Sequence, residues 1–128
     1  KGRGVVAART FNKNEFVVEY AGELIELSTA REREGKYNHS SAVGCYMYYF
    51  KYKNKNYCID ATAETGRLGR LVNHSRLKPN CSTKVVVVEN VPRLILVANK
   101  TIKNNDEILY DYGDRSKESI LAHPWLAL

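Results

Sequence analysis

Short runs of β-branched and aromatic residues, each closed by a polar turn, set the limits on how this chain folds. Such runs occupy residues 5–8, Phe16 to Tyr20, Leu24 to Leu27, Cys45 to Tyr52, residues 56–60, Val85 to Val88, Leu94 to Ala98 and Ile108 to Tyr110. Asn12-Lys13-Asn14 and Lys103 to Asp106 read as turns between runs. Lys53-Asn54-Lys55-Asn56 marks a hairpin, and Asn90-Val91-Pro92 marks a second. One segment breaks the pattern. Thr29-Ala30-Arg31-Glu32 has the spacing of a capping box, and residues 29–37 are good helix formers, so a short charged surface helix is expected there. Residues 116–122 suggest a second small helix, stopped by Pro124. The expected fold is mainly β, with many short strands and one or two small helices.

Size and charge narrow the classes further. A chain of 128 residues is one domain, able to bury roughly two-thirds of its unfolded surface. No apolar run approaches the roughly 20 residues of a membrane-spanning helix, so no membrane partner is expected. Lys1-Gly2-Arg3-Gly4 begins no signal-peptide pattern, so secretion is not expected. A nucleotide-binding α/β enzyme would need repeated strand–helix units that the sequence lacks. The net charge of +6 is spread out: residues 1–64 hold 10 basic and 8 acidic side chains, and residues 65–128 hold 10 and 6. That balance suits work beside an acidic polymer such as chromatin, and ordinary solubility accounts for it equally well. The three cysteines, Cys45, Cys58 and Cys81, are odd in number and form no CxxC pair. A reduced compartment and no metal site are expected.

Tyrosine is where chemistry gathers. There are nine, including Tyr46, Tyr48 and Tyr49 in one strand and Tyr110-Asp111-Tyr112 in another. Alternate strand residues share a face, so Tyr110 and Tyr112 point the same way if the segment stays extended. Taken singly, each is an ordinary half-buried strand residue. Two further stretches stand out: Asn73-His74-Ser75 with Pro79-Asn80-Cys81, and the glycine-flanked cation Gly2-Arg3-Gly4.

Taken in order, Gly2-Arg3-Gly4, Glu19-Tyr20-Ala21-Gly22-Glu23, Arg70-Leu71-Val72-Asn73-His74-Ser75, Pro79-Asn80-Cys81 and Asp106 to Gly113 resemble the SET-domain lysine methyltransferases. Gly44 to Phe50, Gly69 to Ser75, Tyr110 to Lys117 and Ala122-His123-Pro124-Trp125-Leu126 are most similar to the Set8-type branch, which monomethylates histone H4. The resemblance implies a β-clip fold in which segments 70–75 and 108–113 form a pseudoknot, a rare exception to un-knotted topology. It implies a SET domain over 1–115 and a flanking segment, 116–128, that closes the cofactor pocket. It implies S-adenosylmethionine as methyl donor and a lysine of the histone H4 tail as acceptor. Tyr112 is then the catalytic tyrosine, with Tyr20 and Tyr110 beside the amine. Cofactor contacts fall to Lys1, Gly2, Arg3, Tyr46, Asn73, His74 and Trp125, and substrate contacts to Cys45, Tyr20 and Tyr110. The implied setting is the nucleosome with its DNA, in the nucleus and on the chromosome, for a monomeric enzyme. A locally acidic groove is expected to read the basic tail while the outer basic surface meets DNA. The competing reading is a non-catalytic, tyrosine-rich basic module that grips nucleic acid or peptide by stacking.

Overall fold

The computed structural model describes residues 3–37 and 46–111. The expected helix over 116–122 and the flanking segment 116–128 lie outside the described residues, as do Lys1, Gly2, Cys45, Tyr112 and Trp125. Within them, eight strands form two sheets. The first strands are β1 (Phe16–Glu19) and β2 (Glu23–Glu26), followed by the helix α1 (Leu27–Tyr37). Then come β3 (Met47–Tyr52), β4 (Lys55–Asp60), β5 (Asn73–His74), β6 (Cys81–Val88), β7 (Val91–Ala98) and β8 (Leu109–Tyr110). The larger sheet has the order β1-β7-β6-β8-β5, and the smaller has the order β2-β4-β3.

Both expected hairpins form, and the backbone explains where each turns. Lys53 and Asn54 have φ of 50° and 62°, so a two-residue turn joins Tyr52 to Lys55. Glu89 and Asn90 have φ of 51° and 67° and join Val88 to Val91. The second turn therefore sits one residue earlier than expected, and Pro92 lies inside β7 opposite Val87. Proline is tolerated there because Val87 and Pro92 form a non-hydrogen-bonded pair one step from the turn. The nitrogen faces away from β6, and the ladder from β7 to β1 begins only at Ile95 with Glu19.

Two other expectations are corrected. Residues 5–8 make a single bridge, Val6 to Glu107, instead of a strand. Their partner segment turns sharply at Asn105, whose φ is 77°, so no ladder can lengthen. The helix begins at Leu27, which places Thr29 inside its first turn and not at the cap. Its start is fixed where the β2 ladder ends, at the pair Glu26 and Tyr57. Ala30, fully buried, docks the helix against Ile25, Met47 and Cys58 of the small sheet. Lys36 in its last turn suits the negative end of the helix dipole.

The feature that places the site is the insertion of β8. It lies between β5 and β6 and runs parallel to both: Asn73 pairs with Leu109, and Tyr110 pairs with His74 on one side and Cys81 on the other. The connection from β5 to β6, residues 75–80, must therefore cross β8. It is stitched to it as it does so. Ser75 N–H donates to the Tyr110 carbonyl (2.9 Å), Asn80 N–H to the Leu109 carbonyl (3.0 Å), and the Asn80 amide to the Glu107 carbonyl (2.9 Å). Leu109 N–H returns a bond to Asn80 Oδ1 at 2.9 Å. A late segment clasped on both sides by one continuous earlier stretch is the expected crossing of 70–75 with 108–113, described here as far as Asp111.

Candidate active site

The elements that converge on β8 bring three tyrosines into one core. Tyr20 follows β1, Tyr48 lies in β3 and Tyr110 lies in β8. Ring centroids are 5.7 Å apart for Tyr20 and Tyr48, 6.5 Å for Tyr20 and Tyr110, and 6.2 Å for Tyr48 and Tyr110. Each residue is only 4–5% exposed. His74 meets the Tyr110 ring edge-on at 6.4 Å. Tyr48 Oη and Thr83 Oγ1 share a hydrogen bond of 2.7 Å. Tyr20 is set from behind by Gly69. A Cβ at Gly69 would run into the Glu19 carbonyl and lie 3.0 Å from the Tyr20 Cα, so glycine is required by space alone.

Period-2 geometry sorts the β3 aromatics. Tyr46, Tyr48 and Phe50 pack into the main core, whereas Met47 and Tyr49 pack toward α1. Tyr48 belongs to the cluster, and the sequence reading did not select it as a site residue. The alternation of Tyr46, Tyr48 and Phe50 was the available signal.

A second, polar cluster adjoins the first. Arg70 is buried. Its Nε donates to the Ala61 carbonyl (2.6 Å), one terminal nitrogen to the Thr62 carbonyl (3.0 Å) and the other to Glu64 (3.4 Å). Its guanidinium carbon sits 4.0 Å from the centre of the Tyr46 ring, a cation–π contact. Glu64 also accepts from Arg3 at 2.7 Å. That bond holds the Glu64 carboxyl below its ordinary range and raises the Arg3 guanidinium. Arg3 is tied to β5 as well, because Asn73 Nδ2 donates to the Arg3 carbonyl (3.1 Å) and to Glu107 Oε2 (2.8 Å). Of the residues expected at the site, Arg3 contacts Asn73 directly and reaches Tyr46 through Glu64 and Arg70, while His74 packs against Tyr110, which in turn packs against Tyr20. Arg70, Glu64 and Glu107 were not among those residues. A charged residue inside the apolar run Gly69-Arg70-Leu71-Val72 was the clue to Arg70, since such a group must find buried acceptors.

A separate groove of about 630 Å³ is lined by Glu19, Glu23 and Asp60, but also by Arg33, Arg67 and Arg93. Arg33 pairs with Glu23 (2.7 Å) and Asp60 (3.0 Å), and Arg67 with Glu19 (3.2 Å). Its acids are matched by arginines, so it is not the acidic tail-reading groove expected from the sequence.

A sheet clasped around an inserted strand, with tyrosines and an Asn-His pair at the crossing, defines a known class. The SET domain family model matches residues 2–113, and the chain belongs to that family. It is 64% identical to the N-lysine methyltransferase KMT5A-B of Xenopus laevis over 126 residues, 98% of this chain and 37% of that protein. It is 61% identical to the histone-lysine N-methyltransferase Set8 of Drosophila pseudoobscura pseudoobscura over 127 residues, 99% of this chain and 18% of that protein. Among solved structures, CpSET8 from Cryptosporidium superposes with a TM-score of 0.83 at 52% identity, covering 91% of this chain and 55% of that one. The chain therefore spans about a third and about a fifth of the lengths of these two curated relatives.

Proposed function

We propose that this chain is the catalytic domain of a histone-lysine methyltransferase that transfers one methyl group from S-adenosylmethionine to a lysine of the histone H4 tail. The observation that carries the reading is the buried packing of Tyr20, Tyr48 and Tyr110 against His74 at the crossing of β5 and β8. The SET domain occupies 1–115, and residues 116–128 close the cofactor pocket. The enzyme works as a monomer on nucleosomes in the nucleus, with its excess positive charge meeting chromosomal DNA.

The reaction needs a neutral amine. Free lysine has a pKa of about 10.4, so neutralising it at pH 7 costs roughly 4–5 kcal/mol. Burial among apolar walls lowers a lysine pKa by up to roughly 3–5 units, which supplies most of that cost without a strong base. Tyrosines suit the task because the ring excludes water while the hydroxyl accepts from or donates to the amine. We assign the catalytic role to Tyr112 and the holding of the amine to Tyr20 and Tyr110. Tyr110 also restricts space around the nitrogen, which limits the product to one methyl group. Cys45 is assigned a substrate contact, with the peptide adding as a strand.

The polar cluster fits the proposed cofactor. Its amino-acid end carries an ammonium and a carboxylate, and the Arg3 guanidinium and Asn73 amide offer complementary groups. Gly4 leaves room beside them, because a Cβ there would lie 2.8 Å from Glu107 and 3.0 Å from Asn73. Tyr46, braced by Arg70, gives a ring face to an adenosine. Lys1, Gly2, His74 and Trp125 complete the set. When bound, S-adenosylmethionine supplies a methyl group activated by a sulfonium. The stacking-module reading is disfavoured, because a nucleic-acid platform needs exposed rings and these three are buried.

The test is transfer of labelled methyl from S-adenosylmethionine to core nucleosomes or an H4-tail peptide. Label on one lysine, as monomethyl product, is expected; its absence on both substrates overturns the reading. Tyr112→Phe should lose about 100-fold or more in turnover while keeping the fold. Tyr110→Phe should release dimethyl product, read by mass spectrometry of the peptide.

A further inference from the structure

Asn73 donates from one amide nitrogen to two groups, the Arg3 carbonyl at 3.1 Å and Glu107 Oε2 at 2.8 Å. Both partners are acceptors, so only the nitrogen of the amide can face them, and its two hydrogens are both committed. What Asn73 then presents on its remaining side is an acceptor, Oδ1. We propose that Glu107 is a positioning residue: it fixes the Asn73 amide so that its oxygen meets the ammonium of the cofactor's amino-acid end. This rests on the proposed cofactor and deepens that reading.

Three features of the fold place Glu107 there. The bridge between Val6 and Glu107 sets it beside the N-terminal segment, and Ile108 N–H donates to the Val5 carbonyl at 2.8 Å. The pair Asn73 and Leu109 puts it two residues from the register point of β5. Gly4 has no Cβ to intrude on the contact, and one would sit 2.8 Å from Glu107 Oε2. The Arg3 carbonyl takes one of the two hydrogens, a single neutral contact that disfavours the flipped amide only weakly. The Glu107 carboxylate takes the other, and with a full negative charge it repels the amide oxygen, so the flipped orientation is excluded. A flipped amide would offer N–H groups and favour a carboxylate instead.

Calorimetry with S-adenosylhomocysteine and its deaminated analogue separates positioning from general stability. The wild-type protein should prefer the aminated ligand by about tenfold or more, as a hydrogen bond to a charged group implies. Glu107→Ala should weaken S-adenosylhomocysteine while barely changing the analogue, so that the preference collapses toward one. Glu107→Gln keeps the shape of the side chain and serves if the alanine variant does not fold; its amide accepts either orientation of Asn73, so the preference should fall part-way. Equal weakening of both ligands in these variants, or no preference in the wild-type protein, overturns the proposal. Failure of the wild-type protein to bind S-adenosylhomocysteine at all overturns the cofactor assignment, and the role of Glu107 with it.

Discussion

Tyr48 and Tyr49 are neighbours on β3, yet their side chains enter different physical worlds. Tyr48 points into the large core, where it meets the rings of Tyr20 and Tyr110 and shares a hydrogen bond with Thr83. Tyr49 points toward α1 and donates to Glu34 at 2.7 Å. The contrast extends to the regions on either side. Around β8 the chain is held by backbone ladders and close ring packing. Around α1 the apolar contact is small, and a charged network carries the docking: Asp60 accepts from Arg33 (3.0 Å) and Tyr37 (2.7 Å), while Arg33 also reaches Glu23 (2.7 Å). The proposed chemistry and the pH sensitivity of the helix docking are thus segregated. The site gains geometry from tight packing, and the titrating groups that hold the helix lie on the opposite face of β3.

The largest expected effect attacks the packed region. Gly69→Ala would drive a methyl group into the Glu19 carbonyl and toward the Tyr20 Cα, both backbone atoms that cannot swing aside. It should cost about 3 kcal/mol or more, measured by urea unfolding. It should also disperse the near-ultraviolet signal of the tyrosine cluster. If Gly69→Ala is tolerated with that signal intact, the claim that close packing sets Tyr20 is wrong.

Asp60→Asn tests the charged region. The Asp60 side chain is only 3% exposed. Burial pushes its carboxyl up, but hydrogen bonds from Thr62, Tyr37 and Arg33 outweigh burial and hold it below its ordinary value of 3.8. Asp60 thus binds fewer protons folded than unfolded at the same acidic pH. Its contribution is fully present above the unfolded value and is lost as pH falls below it, through the lower folded value. At pH 7 the substitution should cost about 2 kcal/mol, less than for a fully buried pair because Arg33 keeps Glu23 as a partner. Below pH 4 the gap between variant and wild type should narrow. The tyrosine signal should persist throughout. A gap that stays constant down to pH 3 would show that Asp60 acts by packing and not by charge.

How far the sequence revealed each region follows from the range of its interactions. The hairpins were legible because their turns are local: Asn54 and Asn90 are residues that accept positive φ. The Glu89-Asn90 turn was placed one residue late because Pro92 looked like part of it, and only sheet order shows that no strand needs its missing N–H. The residue types of the site were legible through resemblance, since Tyr20, Asn73, His74 and Tyr110 lie in recognisable motifs. Their supports were not. Glu64 reaches Arg3 across 61 residues and Glu107 reaches Asn73 across 34, and no local rule connects such pairs. Tyr48 was hidden for another reason. With Tyr46 and Tyr49 beside it, the face that each ring takes is fixed by strand register, and a slip of one residue would exchange the two faces.

The smallest effect probes that register directly. Tyr48→Phe keeps the ring in the cluster and removes the hydroxyl that pairs with Thr83, and Thr83→Val removes the other partner. Each alone breaks the shared hydrogen bond, so each should cost about 1 kcal/mol. Together they should cost less than the sum, with a coupling of about 1 kcal/mol, because the shared bond can be lost only once. Tyr49→Phe, on the opposite face, loses its bond to Glu34 and should show no coupling to Thr83→Val. The three variants together read which side of β3 faces the cluster, from stability alone and without any activity assay. Coupling of Thr83 to Tyr49 in place of Tyr48 would invert the register of β3 and, with it, the assignment of Tyr48 to the wall of the proposed active site.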